Sequence, residues 1–526
     1  MLPASADAAA WFGGSDFHLR EDRRRAVERA RRPLTTVVAA ALQTQNARYA
    51  PSPARDRNLA ALGAGAAAVV TGQQVGLFLG PLFNLYKAAS AIRCAAALQQ
   101  ETGEPVVPVF WLQSEDHDLP EIAVHHTLAA GGVPLSLHLA TDPADRRSVA
   151  HRVLPDEVRT RLTDLRMGLE SLPHAAAHLD RLDRHYVPGT SWPTAFAGVL
   201  AELFAEEGLV LIDPRDDAFA AAQIAVHERA LGAARAIAAN LVARVDALRA
   251  VGRPTPVHVR RDAPLSFFHP QGPSGPRYRL EPDGSALHEV GGDGRHTATA
   301  LAARLRAEPL SFSTSALLRP ILQDTLLPTA AYVGGATEVA YFAQIAPLYE
   351  EFALPMPLVV PRASFRFVDA RSARTLQRWQ LRTAECEDSR DAVLRRAATI
   401  ADDSEEALLR LLLTPFERRL EELAPKLVAV DSDLHTAIEK TRATVAMAVS
   451  KLGSRYDRAC RRRNQRLVDD VALLTTLFHP EAQPQERYYG FSAVAARLGE
   501  RAFLALSLIH ISEPTRLRRI SYAVFC

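Results

Sequence analysis

Apolar and polar positions fall into three regimes along this chain, and each predicts its own kind of structure. The first is a series of short apolar runs separated by helical stretches. Ala66-Ala67-Ala68-Val69-Val70-Thr71 has the length and composition of a buried strand, and Gly72-Gln73-Gln74-Val75-Gly76-Leu77-Phe78-Leu79-Gly80-Pro81 makes a turn. A helical pattern then covers 82–100, and Val106-Val107-Pro108-Val109-Phe110-Trp111 reads as a second buried strand. Strand, glycine turn, helix and strand form a βαβ unit, the building block of a parallel sheet. The alternation returns as helix 194–207, strand 208–214 and a long helix 217–250, and again as strand 329–333, helix 338–352 and strand 358–360. A further helical pattern occupies 15–50.

The second regime interrupts the first. Residues 129–193 carry the alternating Leu135, Leu137 and Leu139, which suit a strand, and two amphipathic helices within 155–182. Residues 255–310 break into short β segments (257–259, 265–268, 277–280, 286–290) with Gly/Pro turns, an antiparallel ribbon that suits either a mobile flap or a structural excursion. The third regime, 371–480, is charged and nearly free of glycine. Leu420, Leu423, Leu427, Val430, Leu434, Ile438, Thr441, Val445, Val449, Leu452, Tyr456 and Ala459 recur mostly by three and four, the pattern of a coiled-coil seam, with a reversal at Asp431-Ser432-Asp433. Residues 481–505 lead back to the core.

In open α/β sheets the ligand crevice lies beyond the carboxyl ends of the strands, and several polar clusters fall there. At the first turn Gly72, Gly76 and Gly80 let the backbone bend and approach an anion, with a helix N-terminus behind and the amides of Gln73 and Gln74 beside them. Ordinary turn glycines are the other reading, since the spacing matches neither Walker A nor GxGxxG. The second strand ends in Glu115-Asp116-His117-Asp118, a candidate acid-base cluster whose rival readings are a divalent metal site or a capped turn. Asp213 ends the third strand. Arg319, Gln323 and Asp324 precede the next, whose exit, Gly334-Gly335, opens a second helix with Thr337 as its N-cap and so a second anion seat. Glu338, Tyr341 and Gln344 share one face of that helix, and Arg362 and Ser364 stand at the exit of the last strand.

Composition removes several classes. A net charge of +2 gives no general nucleic-acid-binding field, and the basic run at 458–463 reads as a solvated arm rather than a nucleic-acid patch. No apolar run reaches the ~20 residues of a membrane span, and residues 1–14 do not form a secretory signal, so a cytoplasmic location is expected. Cys94, Cys386, Cys460 and Cys526 are far apart and form no CxxC, which argues against a structural metal or a disulfide framework; the first three read as buried or incidental thiols. Residues 506–526 look like the translation of a sequencing adapter and are set aside; the native carboxyl end is expected to be missing.

The strings TGQQVGLFLGPLFNLYKAASAI, PVVPVFWLQSEDHDLPEI and LLRPILQDTLLPTAAYVGGATEVAYFAQIAPLYEEFALPMPLVVPRASF closely resemble the cysteine-adding enzyme of bacillithiol biosynthesis, the BshC family, and the likeness covers nearly the whole chain. The resemblance implies an α/β protein with a Rossmann-like parallel-sheet core over 1–370, similar to class I synthetases and nucleotidylyl transferases, two insertions, and an α-helical coiled-coil domain that makes a homodimer. It also implies a carbon-nitrogen ligase that joins cysteine to glucosaminyl-malate. Amide formation from a carboxylate is uphill in water, so ATP is expected, with Mg²⁺ as its companion and no dedicated metal. On this reading Gly72, Gln73, Gln74 and Gly76 receive phosphate or carboxylate. His117 donates a hydrogen bond or deprotonates the sugar ammonium, Asp116 or Asp118 sets its tautomer, and Glu115 and Glu338 grip an ammonium. The synthetases' histidine pair and lysine-rich motif are not evident, so the nucleotide has two candidate seats, the rim or a place between core and coiled coil. A nucleotidylyl transferase for another small acid and a non-catalytic dimeric scaffold are the rival functions.

Overall fold

The computed structural model describes residues 10–400, 405–463 and 465–510. The strands in chain order are β1 (Ala67–Gln74), β2 (Val106–Gln113), β3 (Val124–Leu128), β4 (Pro134–His138), β5 (Val210–Ile212), β6 (Ser266–Phe268), β7 (Tyr278–Asp283), β8 (Ala286–Glu289), β9 (Arg295–Thr297), β10 (Phe312–Thr314), β11 (Thr329–Gly334) and β12 (Leu358–Pro361). Five of them form the parallel core sheet in the order β12-β11-β1-β2-β5. Its central strand β1 is buried on both faces; the small Ala67 and Ala68 admit helices closely, and Thr71 gives its hydroxyl to the Val333 carbonyl at 2.8 Å. The chain lays down β2 and β5 on one side of β1, then β11 and β12 on the other. Strand order therefore reverses between β1 and β11, the position where α/β sheets open a crevice.

The predicted helices mostly appear, with three changes, the first being that the 15–50 pattern is two helices, Arg20–Ala30 and Thr36–Asn46. The 217–250 pattern is two helices, Ala220–Gly232 and Ala234–Ala250, with Ala233 outside helical geometry at φ −105°, ψ 17°. Both halves keep their apolar face on the same core, so periodicity alone could not show the break. The helix after β11 is Ala336–Glu351; its cap is not Thr337 but the Glu338 carboxylate, which accepts from the Gly335 amide at 2.8 Å.

The second insertion is a five-stranded antiparallel sheet, β10-β6-β7-β8-β9, packed on the helix Ala298–Ala307 through Phe268, Leu280, Leu301, Leu305 and Phe312. It runs further than 310, because β10 pairs with β6 and not with the core, while 257–259 forms no strand. The insertion is fastened at its inner edge. Arg215, buried just past β5, donates to the carbonyls of Phe312 and Leu310, both at 2.7 Å, and of Pro273 at 3.2 Å. The first insertion starts before 129, because β3 pairs with β4 in a hairpin; the helices Glu157–Leu169 and Ala175–His185 follow.

The described chain divides into two units, one with residues up to Phe365 and from Tyr489 onward, the other with 366–488. In the first, Leu82 donates to the Tyr489 carbonyl at 2.8 Å and Gly490 to that of His126 at 2.7 Å, so the returning segment lies beside the first turn. The second unit contains a hairpin of the helices Glu405–Val428 and Leu434–Arg463, reversing where Asp431-Ser432-Asp433 predicts, and a packed pair, Arg390–Ile400 with Gln465–Phe478. Gln485 belongs here, bonded to Phe367 through N–H and C=O at 2.7 and 3.0 Å, rather than to a path into the core. Cys94 and Cys386 are free and buried. Residues 511–526 of the adapter-like stretch, with Cys526, lie outside the described residues, as do residues 1–9 and the side chains of Cys460 and 461–463.

Candidate active site

The two glycine bends meet at the switch point and are tied together by a residue the sequence reading passed over. Lys87, one turn into the helix Phe83–Thr102, is buried and sends its ammonium to the Gly72 carbonyl and to Gln73 Oε1, both at 2.8 Å, and to the Glu338 carboxylate. Burial pushes its pKa down to about 8 against the pull of Glu338, with Arg362 and Arg319 adding to the fall. Glu338 lies below the ordinary carboxylate range: burial raises it, but Lys87, the Tyr332 hydroxyl at 2.5 Å and the Gly335 amide outweigh that. A Cβ on Gly334 would stand 3.0 Å from that of Glu338. Arg362 lies over the Phe83 ring at 5.4 Å, and Ser364 is exposed just beyond it.

Behind this rim the polar residues bond to one another. Arg319 donates to Tyr341 Oη at 2.7 Å, Tyr332 Oη at 3.1 Å and Gln323 Oε1 at 2.9 Å; Gln323 donates to Asp324 at 2.8 Å, and Tyr349 closes the chain on Asp324 at 2.7 Å. Burial raises the Asp324 carboxyl to about 6 despite these donors. Gln323 and Asp324 therefore serve the wall and not a ligand. Gln344, although at helical spacing from Glu338, spends both ends of its amide on the Val257 backbone at 2.9 and 3.1 Å.

On the other side of β1, the acidic cluster divides into four different jobs. Glu115 is fully buried, and both its oxygens are occupied by Thr314, the amide at 3.3 Å and the hydroxyl closer still. It is sealed and cannot grip a substrate ammonium. Asp118 caps the short helix Leu119–Ile122 through the Glu121 amide at 3.3 Å, which is the capped-turn reading. Asp213, half-buried, accepts from Ser114 Oγ at 2.5 Å and the Arg215 amide at 3.0 Å, and loss of solvent around its carboxylate raises its pKa. Asp116 and His117 remain about one-third exposed. Asp116 accepts from Gln74 Nε2 at 3.1 Å, the His117 amide at 2.8 Å and Arg277 at 3.3 Å; burial works to raise its pKa, yet His117 and Arg277 hold it well below the usual range. Arg277 also reaches His117 Nδ1 at 3.4 Å. His117 Nδ1 lies equally 3.4 Å from Asp116 Oδ1, so the same nitrogen faces a donor, the guanidinium, and an acceptor, the carboxylate, and these contacts do not set the tautomer. Among the described residues no group of three or more His, Cys, Asp or Glu is placed to hold a metal.

The loop from Gly76 to Gly80 is not an open anion seat. Three of its five amides are taken: Gly76 donates to Gln74 O at 3.0 Å, Gly80 to Leu77 O at 2.9 Å, and Leu79 to the Tyr186 hydroxyl at 3.0 Å, which in turn donates to Gly76 O. Phe78 and Leu79 adopt φ of 48° and 72°, with the Phe78 ring held edge-on by His125 and Tyr186. The glycines serve close packing, because a Cβ on Gly76 would lie 2.8 Å from the Gly80 Cα. Gly76→Ala is expected to cost about 3 kcal/mol through this backbone clash, read as a lowered urea midpoint; an unchanged midpoint would remove the argument.

The structure thus brings together Gly72, Gln73, Gln74, Asp116, His117, Gly334, Gly335, Glu338 and Arg362 on one rim, with Arg319 and Tyr341 behind it. Lys87, Tyr332 and Arg277 were missed. The only signal for Lys87 was a lone lysine in an otherwise apolar helix start, LFNLYKAASAI.

Comparison with known proteins gives one result along the chain. Residues 8–363 match Bacillithiol biosynthesis BshC, N-terminal Rossmann-like domain, and 366–512 match Bacillithiol biosynthesis BshC, C-terminal coiled-coil domain. Relatives named "Putative cysteine ligase BshC" include one from Koribacter versatilis, 34% identical over 88% of this chain and 85% of its own, and one from Salinibacter ruber, 33% identical over 91% and 88%. An arginyl-tRNA synthetase of Thermus thermophilus aligns with 91% of this chain and 86% of its own at 12% identity and a TM-score of 0.17, too slight a likeness to build on. With both domain matches spanning almost its whole length, this chain belongs to the BshC family.

Proposed function

We propose that the protein joins L-cysteine to glucosaminyl-malate, forming the amide of bacillithiol after nucleotide-dependent activation of the cysteine carboxylate. Family membership and the names of its relatives support the reaction class. The observation that carries the site is the continuous rim at the switch point, where Lys87–Gln73 and Gln74–Asp116–His117 adjoin through two consecutive residues of β1.

In this reading ATP converts the carboxylate into an acyl-adenylate, releasing pyrophosphate; the sugar amine attacks the acyl carbon, loses a proton, and AMP departs. Gln73 and Arg362 offer donors for carboxylate or phosphate oxygen. Asp116, ionised and accessible, takes over from Glu115 as acceptor for the sugar ammonium. His117 acts as a donor to developing negative charge. Magnesium accompanying ATP would rest on phosphate and water oxygens. The second unit exposes Leu411, Leu423, Leu427, Val430, Met447 and Leu452, apolar surface that suits a homodimer through the coiled coil; a monomer mass in light scattering would exclude it.

The deciding test incubates the protein with cysteine, glucosaminyl-malate, Mg²⁺ and each nucleotide, with mass spectrometry of the products. Bacillithiol is expected with ATP. Nucleotide turnover without cysteine transfer would favour a nucleotidylyl transferase, and silence on every nucleotide would favour a non-catalytic scaffold.

A further inference from the structure

Two glutamines stand side by side at the end of β1, and each is gripped from behind by groups of opposite sign. A lysine ammonium carries three donors and no acceptor. Its 2.8 Å contact with the Gln73 side chain therefore has to be made to Oε1, which leaves the Gln73 NH2 on the far side of the amide plane. Gln74 is fixed the other way. Its NH2 donates to Asp116 at 3.1 Å and to Glu121 at 3.0 Å. Both glutamines are partly exposed, and Gln73 lies where strand order reverses.

Lys87 has no freedom to do otherwise. Its three partners, Gly72 O, Gln73 Oε1 and Glu338, equal its three protons. Glu338 is itself held by the Tyr332 hydroxyl and the Gly335 amide, and Arg319 supports Tyr332 and Tyr341 from behind. Every group around the ammonium is thus fixed by another, so the Gln73 amide cannot turn over without breaking the set.

We propose that Lys87 is a positioning residue that locks Gln73 with its NH2 toward the switch-point crevice, making Gln73 a dedicated donor to an oxyanion, either a substrate carboxylate or a nucleotide phosphate. The inference rests on the ligase reading of the same crevice. A neutral amide free to flip would present carbonyl oxygen half the time and repel the same ligand; the buried cation removes that state. Lys87 itself touches no ligand.

The test compares Gln73→Glu, Gln73→Met and Lys87→Met with wild type, measuring KM separately for ATP, cysteine and glucosaminyl-malate, with melting curves alongside. Gln73→Glu keeps an oxygen for Lys87, so its melting temperature should match or exceed wild type. Its second oxygen replaces the donor with negative charge, and KM for one anionic substrate should rise about thirtyfold or more, with a smaller change in kcat. Gln73→Met, which lacks both groups, should be less stable but less impaired in KM. A merely structural glutamine would give the reverse order in KM, and that result, or an unaltered KM in Gln73→Glu, would overturn the proposal. Lys87→Met should raise KM for the same substrate as Gln73→Glu; a rise for a different one would also overturn it. Which substrate responds separates carboxylate from phosphate. Absence of bacillithiol from the wild-type protein would instead refute the ligase reading.

Discussion

Replacing Arg277 with methionine is expected to lower the rate of the proposed cysteine ligation about a hundredfold in a chain that still folds. Arg277 sits at the edge of the second insertion, buried, with its guanidinium 3.8 Å from the Phe267 ring centre. Its donors go to Ser313 Oγ at 3.1 Å, Thr314 O at 2.6 Å, and Asp116 and His117 Nδ1 at 3.3 and 3.4 Å. One side chain therefore does three things: it lowers the Asp116 pKa, bears on His117 Nδ1, and fixes β10, whose Thr314 holds Glu115. Removing one partner of a well-buried ion pair costs about 3–5 kcal/mol; with a third of Asp116 exposed, about 2 kcal/mol is the reasonable share here. That share is lost folding stability and is read as a lowered urea midpoint; the hundredfold in rate corresponds to about 2.7 kcal/mol of transition-state stabilisation, carried by the lost alignment of Asp116 and His117.

Arg277→Lys makes that partition measurable. A lysine keeps a positive charge near Asp116 but cannot reach Ser313, Thr314, Asp116 and His117 from one planar fork. Its turnover should fall about tenfold, while the acid limb of the rate profile stays near wild type. In Arg277→Met that limb should move to higher pH, because the carboxylate loses a partner that depresses its pKa. Wild-type turnover in Arg277→Met would separate the second insertion from the chemistry altogether.

The parts of this site that sequence revealed are those set by local pattern. A buried apolar run, a glycine bend and a helix locate β1 and its turn; a charged tetrad after an apolar run locates the rim; heptads bounded by Asp431-Ser432-Asp433 locate the helical hairpin. Roles were harder, because they depend on partners far away in the chain. Glu115 and Asp116 are neighbours in sequence, yet Thr314 seals one and Arg277 leaves the other accessible. Gln344 shares a helix face with Glu338 and Tyr341, but the segment packed there is the Val257 backbone. Gly76 and Gly80 did mark a bend that needs glycine. Their reason is steric, the close approach of backbone to backbone, which is indistinguishable in sequence from the need to admit an anion. Lys87 shows the same limit from the other side: a lysine in a helix is usually solvated, and only the sheet order shows that this one faces a carboxylate 251 positions further along.

Acid is expected to destabilise the first unit strongly between pH 7 and pH 5, and buried neutral histidines are the cause. His125, His227 and His269 are fully enclosed. Burial lowers them to about 3, about 3 and about 2, with His178 adding to the fall at His125 and Arg215 at the other two. Their hydrogen bonds, to Ser492 at 3.1 Å, Ser266 at 2.8 Å and Ser313 at 3.0 Å, are compatible with the neutral ring. For a histidine whose folded pKa is depressed, the unfolded chain binds the proton first, near pH 6.5, while the folded chain does not. Stability therefore falls as pH drops below 6.5 and stops falling only near the folded pKa. At pH 5 each such histidine costs about 2 kcal/mol, so about 6 kcal/mol in all. Asp324 opposes this, since its raised pKa of about 6 lets the folded state take up a proton first, returning about 1 kcal/mol over the same interval. The net loss, about 4–5 kcal/mol, is a large fraction of the stability of an ordinary domain. Urea unfolding followed by tryptophan fluorescence at pH 7 and pH 5 should show it, and His227→Gln should reduce the difference by about 2 kcal/mol, a little under half. A midpoint that stays constant across that interval would mean these imidazoles are protonated within the fold, and that the enclosure around them is more open than the geometry shows.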